Sequence, residues 1–130
     1  MKLQPDKTDV QSISGYGPGW VGINGARVER SVILGARGER LDWQCARFED
    51  LLASHFEQIA ALKPELVIFG SGTRLRFAAP ALHRCLMQAR IGMETMDTLA
   101  ACRTYNILAG EGRHVIAALL LEQAALQEAP

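Results

Sequence analysis

The spacing of apolar residues divides the chain into two parts of different character. In residues 10–42, short apolar stretches alternate with glycines, a pattern that predicts a meander of short β-strands. Asn24-Gly25 lies between two such stretches and is typical of a two-residue hairpin turn. From residue 48 onward, apolar positions recur at helical spacing or form continuous runs. The second part therefore predicts helices that alternate with strands.

The first predicted helix of the second part carries an apolar stripe and ends at Pro64. The stripe consists of Phe48, Leu51, Leu52, Phe56, Ile59 and Leu62. The continuous apolar run at 66–69 predicts a strand that is covered on both faces. Pro80 marks the start of a second helix, because proline is favoured in the first helical turn. We therefore expect a helix, a buried strand and a helix in succession.

Three further elements complete the chain. Residues 91–96 alternate in polarity and predict a strand, and residues 98–109 predict a helix. Asp97 or Thr98 is the expected N-cap of that helix, with Gly110 just after its end. Residues 115–121 predict a closing strand, although the alanines that follow also allow a last helix.

This order of elements predicts a single α/β domain over residues 1–130, with residues 1–9 as a loose tail. Strand–helix–strand units favour right-handed crossovers between parallel strands. We therefore expect a three-layer domain with a mixed, mainly parallel central sheet and an N-terminal β-meander. Strands 66–69 and 91–96 should pair in parallel, with the helix after Pro80 crossing between them.

Composition narrows the classes of function. Hydrophobic residues make up 48% of the chain, and 14 Lys and Arg balance 14 Asp and Glu. Nucleic-acid binders usually carry a basic excess, so we expect no nucleic-acid partner. No apolar run is long enough to span a bilayer, and the polar N-terminus does not resemble a signal peptide, so we expect a cytoplasmic protein without membrane insertion.

Cysteine and histidine give no sign of a metal site or cofactor. Cys45, Cys85 and Cys102 are far apart, which argues against a disulfide framework and fits a reducing compartment. The histidines are also isolated, and none has a partner at zinc-like spacing. Cys102 lies early in a predicted helix beside Arg103, a setting that can lower a thiol pKa, but we favour a buried apolar role.

A glycine-rich turn directly follows the buried strand at 66–69. We call it the 70–74 turn, and its residues are Gly70, Ser71, Gly72, Thr73 and Arg74. Glycines at the carboxyl end of a strand can expose backbone N–H groups to a ligand. The turn matches neither the P-loop nor the dinucleotide-binding pattern, and no histidine near it in sequence could activate Ser71 or Thr73. We therefore assign no catalytic residue.

The predicted topology places the 70–74 turn beside the start of the helix at Thr98, where α/β sheets bind ligands and helix N-termini favour anions. Residues 66–93 contain four arginines and no acidic residue, and Arg74, Arg76 and Arg103 could make bidentate contacts with an anion. The carboxylate of Asp97 would repel an anion unless it caps the helix. The turn, Asp97, Thr98 and Arg103 are thus a candidate small-anion site, with a plain tight turn and solvated or ion-paired arginines as the alternative.

Residues 94–113, ETMDTLAACRTYNILAGEGR, resemble the signature of a small α/β family of unknown function that includes mitochondrial respiratory complex I assembly factor 3. The 70–74 turn, Pro80 and Gly15-Tyr16 resemble that family too. The resemblance implies an α/β domain without established enzymatic activity. It also implies a role in contact with another protein, in the biogenesis of respiratory or membrane complexes. It indicates no oligomeric state.

Two structural expectations follow from these functions. A protein-interaction role predicts an exposed apolar patch, for which Tyr16, Trp20 and Trp43 are candidates. Four consecutive polar or amphipathic residues begin at Arg103, and helical geometry must direct at least one of them inward. We expect Tyr105 or Asn106 to hydrogen-bond the backbone of the 70–74 turn.

Overall fold

A computed structural model describes residues 10–123, so the predicted tail at 1–9 and any helix after residue 123 lie outside the described part of the chain. Eight strands are present there: β1 (Ile13–Gly17), β2 (Trp20–Ile23), β3 (Ala26–Val28), β4 (Val32–Gly35), β5 (Arg40–Asp42), β6 (Leu66–Gly70), β7 (Gly92–Met96) and β8 (Val115–Leu119). The α-helices are α1 (Ala53–Ala60), α2 (Arg84–Gln88) and α3 (Thr98–Gly110). Short 3₁₀ helices at Phe48–Asp50 and Pro80–His83 precede α1 and α2.

The predicted meander divides between two sheets. Strands β1, β2 and β3 form a three-stranded antiparallel sheet, and β4 and β5 join a five-stranded sheet in the order β5-β4-β8-β6-β7. The hairpin at Asn24-Gly25 is confirmed, because Ile23 pairs with Ala26 and both turn residues have positive φ, 50° and 89°. The strand predicted before Gly35 and its return strand are also confirmed, as β4 and β5.

The five-stranded sheet is mixed. β6 pairs in parallel with both β7 and β8, whereas β4 pairs antiparallel with both β8 and β5. The predicted parallel pairing of the strand at 66–69 with the strand at 91–96 is confirmed, with α2 in the crossover between them. The mixed α/β class is therefore confirmed. A mainly parallel sheet is not confirmed, because two of the four pairings are antiparallel, and the three-layer arrangement stays a prediction.

Residues of the five-stranded sheet alternate between two buried apolar clusters, as the two-residue period of a strand requires. Ile68 belongs to one cluster together with residues of α3 and the three-stranded sheet. Val67 and Phe69 belong to the other cluster, with residues of α1 and α2. β6 is therefore apolar throughout because both of its faces are covered, as its sequence predicted.

Helix α3 begins and ends close to its predicted positions, whereas α1 does not. Asp97 caps α3, since its Oδ1 accepts a hydrogen bond of 2.9 Å from the N–H of Ala100. Gly110 is the last residue of α3, and Gly112, with φ of 84°, takes the left-handed conformation instead. α1 is shorter than its stripe suggested, because the stripe's first part forms a 3₁₀ helix and leaves Leu52 exposed. In the described residues, no helix has the length and apolar character needed to cross a membrane.

Candidate functional site

The 70–74 turn lies beside the N-terminus of α3, as the topology predicted. β6 and β7 are parallel neighbours in which Gly70 pairs with Met96, so the turn after β6 meets the helix that follows β7. Gly70, Ser71 and Gly72 are buried, whereas Thr73 and Arg74 are exposed. The structure thus brings the turn together with Asp97 and Thr98, two residues separated from it by more than twenty positions in sequence.

Thr98 connects the turn to the neighbouring strand. Its hydroxyl accepts a hydrogen bond of 2.9 Å from the N–H of Gly72 and donates one of 2.8 Å to the carbonyl of Leu120. The N–H of Thr98 donates to the carbonyl of Gly72 at 2.8 Å. Thr98 is only 5% exposed, so these groups have little access to water. The first residue of α3 therefore fixes the turn from two sides.

Ser71 organises the inside of the turn. Its N–H donates to the carbonyl of Met96 and its hydroxyl donates to the carbonyl of Arg74, each at 2.8 Å. The same hydroxyl accepts a 2.9 Å hydrogen bond from the N–H of Arg76. The backbone N–H groups of Ser71 and Gly72, which the sequence suggested as ligand donors, are thus both hydrogen-bonded within the protein.

The two glycines of the turn are required by close approach. A Cβ on Gly70 would lie 3.0 Å from the Cα of Thr98. Gly72 has φ of 106°, and a Cβ there would collide with the side chains of Arg76 and Glu122. The glycine pattern in the sequence therefore indicates a tightly packed turn.

Arg76 and Glu122 form an ion pair that sequence reasoning did not assign to the site. Arg76 Nη2 lies 2.5 Å from Glu122 Oε1, and the two side chains are only 17% and 16% exposed. The guanidinium also donates to the carbonyl of Ser71 at 2.7 Å and lies over the ring of Phe48 at 4.6 Å. The other oxygen of Glu122 accepts a 2.7 Å hydrogen bond from the N–H of Phe48. The sequence suggested Arg76 as a contact for an anion, and no local signal indicated Glu122, 46 residues away, as its partner.

The other two predicted cations do not join this network. Arg74 is exposed at the surface of the turn. Arg103 is also exposed, and its Nη1 lies 3.5 Å from the hydroxyl of Tyr16 on β1. Asp97 uses a carboxylate oxygen to cap α3. Of the predicted site residues, the structure therefore groups the turn with Thr98 and leaves Arg74 and Arg103 facing outward.

Two large apolar side chains project from the segment directly after the turn. Leu75 is 52% exposed and Phe77 is 71% exposed, whereas Arg76 between them and Ala78 after them point into the protein. Because Arg76 holds this segment through its contacts with Ser71 and Glu122, its two apolar neighbours are presented outward from a fixed backbone. We call Leu75 and Phe77 the apolar pair.

A small cavity adjoins the turn. Its volume is about 190 Å³, and its lining includes Gly72, Thr73, Thr98 and Leu99 together with the 17–19 turn between β1 and β2. Leu99 is 36% exposed at this cavity. Much of the lining is backbone and glycine, so the cavity offers apolar surface beside the predicted site.

The inward side chains of α3 contact β1 and the residues just before it. The predicted contact of Tyr105 or Asn106 with the 70–74 turn is therefore wrong. Asn106 accepts a 2.9 Å hydrogen bond from the N–H of Ile13 and donates one of 2.8 Å to its carbonyl. The hydroxyl of the buried Tyr105 donates to the carbonyl of Gln11 at 2.5 Å. Asn106 thus pairs with β1 as a neighbouring strand would.

The aromatic residues proposed for an interaction patch separate into two groups. Trp43 is 2% exposed and packs edge to face with Phe56 and Phe69, so it is a core residue. Trp20 and Tyr16 are half-buried on the three-stranded sheet, where the guanidinium of Arg27 lies 4.4 Å from the centre of the Trp20 ring. The largest exposed apolar side chain is instead Phe77.

Cys45, Cys85 and Cys102 are free thiols, and Cys45 and Cys102 are buried. Burial raises the pKa of the Cys102 thiol to about 12, outweighing the nearby Arg103. Burial likewise raises the pKa of Cys45 to about 11. Cys102 is therefore a buried apolar side chain rather than a reactive thiolate.

Comparison with known proteins adds a family match over most of the chain. The model of the family described as "Protein of unknown function (DUF498/DUF598)" matches residues 13–120. An uncharacterized protein of Rhodobacter capsulatus is 34% identical over 117 residues, which are 90% of this chain and 90% of that protein. A crystal structure of a Bordetella parapertussis protein aligns with a TM-score of 0.82 and 37% identity, covering 87% of this chain and 97% of the other.

One similar protein has a named role. NADH dehydrogenase (ubiquinone) 1 alpha subcomplex assembly factor 3 of Bos taurus is 31% identical over 120 residues, which are 91% of this chain and 65% of the bovine protein. The chain thus spans less than two thirds of that relative's length. Both the family and the likeness to this assembly factor agree with the resemblance in residues 94–113.

Proposed function

Because the chain belongs to the DUF498/DUF598 family, we propose that it is a non-enzymatic interaction domain of the assembly-factor type, acting in the biogenesis of a respiratory or membrane complex. Its likeness to the bovine assembly factor supports a protein partner. The structural observation that carries the proposal is the apolar pair, Leu75 and Phe77, exposed on a segment that Arg76 holds in place. Aromatic side chains such as Phe77 are enriched in interfaces, and a fixed backbone limits the conformational entropy that is lost on binding.

The contact surface in this proposal includes the apolar pair and the cavity lined by Gly72 and Leu99, both next to the 70–74 turn. Arg74 and Arg103 are exposed near this surface and give it a positive rim. Such a rim speeds association with an acidic partner and selects among partners more than it adds affinity. The 70–74 turn then serves as the scaffold that positions both apolar features.

The test compares Phe77→Ser with Ile107→Ser, a substitution at another exposed apolar side chain, which is 61% exposed on α3. Each variant and the unchanged protein is immobilised and exposed to extract from the source organism, and the retained proteins are quantified. A partner retained by the unchanged protein and by Ile107→Ser, but lost with Phe77→Ser, supports the proposal. Equal retention by all three proteins, or no retained protein, contradicts it.

A chromosomal replacement by Phe77→Ser gives a second measurement. The amount of assembled NADH dehydrogenase complex should fall relative to a replacement by Ile107→Ser, at equal cellular levels of the two variants. An unchanged amount of assembled complex would contradict the proposed assembly role.

A small-anion or nucleotide site remains a second proposal for the same region, with a possible weak enzymatic activity. Its residues are Gly70, Ser71, Gly72, Thr73, Arg74, Asp97, Thr98 and Arg103. The exposed guanidinium groups of Arg74 and Arg103 favour it, whereas the hydrogen bonds already made by the turn's N–H groups leave fewer donors for an anion. Calorimetric titration with phosphate and nucleotides tests it, and the double variant of Arg74→Ala with Arg103→Ala should abolish any binding while stability stays nearly unchanged.

A cytoplasmic location is also part of the proposal, supported by three free cysteines in a chain of this size. Fractionation of source cells with an antibody against the protein tests it. Recovery in the membrane fraction after a high-salt wash would contradict a cytoplasmic location.

A further inference from the structure

A second cleft in the described part of the chain lies away from the 70–74 turn. Its volume is about 740 Å³, within the range of small-molecule sites. Three segments form it: residues 29–31 between β3 and β4, residues 43–47 after β5, and residues 121–123 after β8.

Hydrogen bonds join these three segments directly. The N–H of Trp43 donates to the carbonyl of Ser31 at 2.9 Å, and the N–H of Leu121 donates to the Ser31 hydroxyl at 3.0 Å. Gln123 Nε2 donates to the carbonyl of Glu29 at 2.7 Å. These backbone and side-chain hydrogen bonds fix the three segments relative to one another, so the cleft is formed before any ligand arrives.

The floor of the cleft is apolar, and its polar atoms are already paired. Trp43, Cys45 and Leu121 lie there and are each less than 5% exposed. The indole N–H of Trp43 donates to the carbonyl of His55 at 3.2 Å, and the Cys45 thiol donates to the carbonyl of Arg47 at 3.1 Å. A ligand in contact with this floor would meet carbon and sulfur and would leave no buried polar group without a partner.

The rim of the cleft carries an excess of positive charge. Arg30 and Arg47 are both exposed there, and Arg30 makes no ion pair within residues 10–123. Arg47 has only a loose contact of 3.7 Å with Asp50, between two side chains that are more than half exposed. Glu29 is the acidic residue of the lining, and Arg27 already neutralises it at 2.8 Å. Two guanidinium groups are thus available to an incoming anion.

We infer that this cleft is a binding site for a small amphipathic anion, whose apolar body lies along the floor of Trp43 and Leu121 and whose carboxylate or phosphate pairs with Arg30 and Arg47. Because the floor side chains are each less than 5% exposed, pairing with the two arginines supplies most of the affinity, and the apolar floor adds a preference for an alkyl body. The site lies outside the 70–74 turn and the apolar pair, so it adds to the proposed interaction role.

Octanoate is the probe, because it combines an alkyl body with a carboxylate. Octylammonium keeps the alkyl chain and reverses the charge, and acetate keeps the carboxylate and removes most of the alkyl chain. Titrations of ¹⁵N-labelled protein follow the indole N–H of Trp43 and the backbone N–H groups of residues 44–47. Saturable shifts at low-millimolar octanoate, with weaker shifts for the other two ligands, are expected.

The double variant of Arg30→Gln with Arg47→Gln should weaken octanoate binding by about fivefold or more, since two exposed charge contacts are lost. Arg40→Gln is the matched control, because Arg40 is an exposed arginine on β5 outside the cleft lining. Three results would each overturn the inference. They are the absence of octanoate shifts in the cleft, equal binding of octylammonium and octanoate, and equal octanoate affinity of the double variant and the control.

Discussion

Replacement of Thr98 by valine should destabilise the protein through the loss of one buried hydroxyl. Valine has nearly the same shape as threonine, so packing is conserved and only the hydroxyl is lost. The N–H of Gly72 and the carbonyl of Leu120 then lose a partner at 2.9 Å and 2.8 Å in a site that is 5% exposed. Each buried group left unpaired costs about 1–3 kcal/mol, so the two groups together lower the free energy of unfolding by about 2–6 kcal/mol.

For a domain of this length, that loss corresponds to a decrease in Tm of roughly 10–20 °C. Urea unfolding and thermal unfolding followed by circular dichroism measure both quantities. Thr98→Ser keeps the hydroxyl and should cost only about 1 kcal/mol for the buried methyl group. Thr104→Val is the control on the same helix, at a half-buried threonine. If Thr98→Val and Thr104→Val unfold at the same urea concentration, the argument that Thr98 fixes the 70–74 turn fails.

Three further predictions concern groups outside the turn. Asn106→Ala should lower the free energy of unfolding by about 1–3 kcal/mol in urea, because β1 loses two hydrogen bonds; an unchanged midpoint would contradict this. Burial alone would raise the pKa of Glu39, but hydrogen bonds from His114 and from backbone N–H groups hold it below its ordinary value of 4.5. Because the pKa of Glu39 is lower in the folded protein, the unchanged protein should be more stable than Glu39→Gln by a full margin above pH 4.5, and this margin should shrink at lower pH. A margin that grows on acidification would refute the prediction. A thiol reagent should label one cysteine quickly in the native protein, and Cys85→Ser should remove that fast phase, because the other two thiols are buried.

The candidate site was only partly predictable from sequence. The 70–74 turn and Thr98 come together because β6 and β7 pair in parallel, and that pairing followed from an apolar run and the length of a crossover. The ion pair between Arg76 and Glu122 was not predictable, since its partners are 46 residues apart and either could equally have faced solvent. The same limit applies to the partner of Asn106. Tyr105 or Asn106 was predicted to point inward, but the contact of Asn106 with β1 was not predicted.

The sequence by itself determined the features that depend on neighbouring residues. The hairpin at Asn24-Gly25 follows from backbone conformations that these residues tolerate, and the start of α3 follows from the short side chain of Asp97 reaching a nearby N–H. The burial of β6 on both faces was present in its continuous apolar run. Each of these depends on a few adjacent residues.

Only the tertiary structure decided how distant elements meet. It divided the predicted meander between two sheets, placed β4 antiparallel beside β8, and made half of the pairings in the five-stranded sheet antiparallel. It also directed Phe77 outward by drawing Arg76 inward. Local preference cannot specify these outcomes, because a strand has two edges and each can pair with several apolar partners. The choice depends on which arrangement buries both faces of the sheet and pairs the buried polar groups at once.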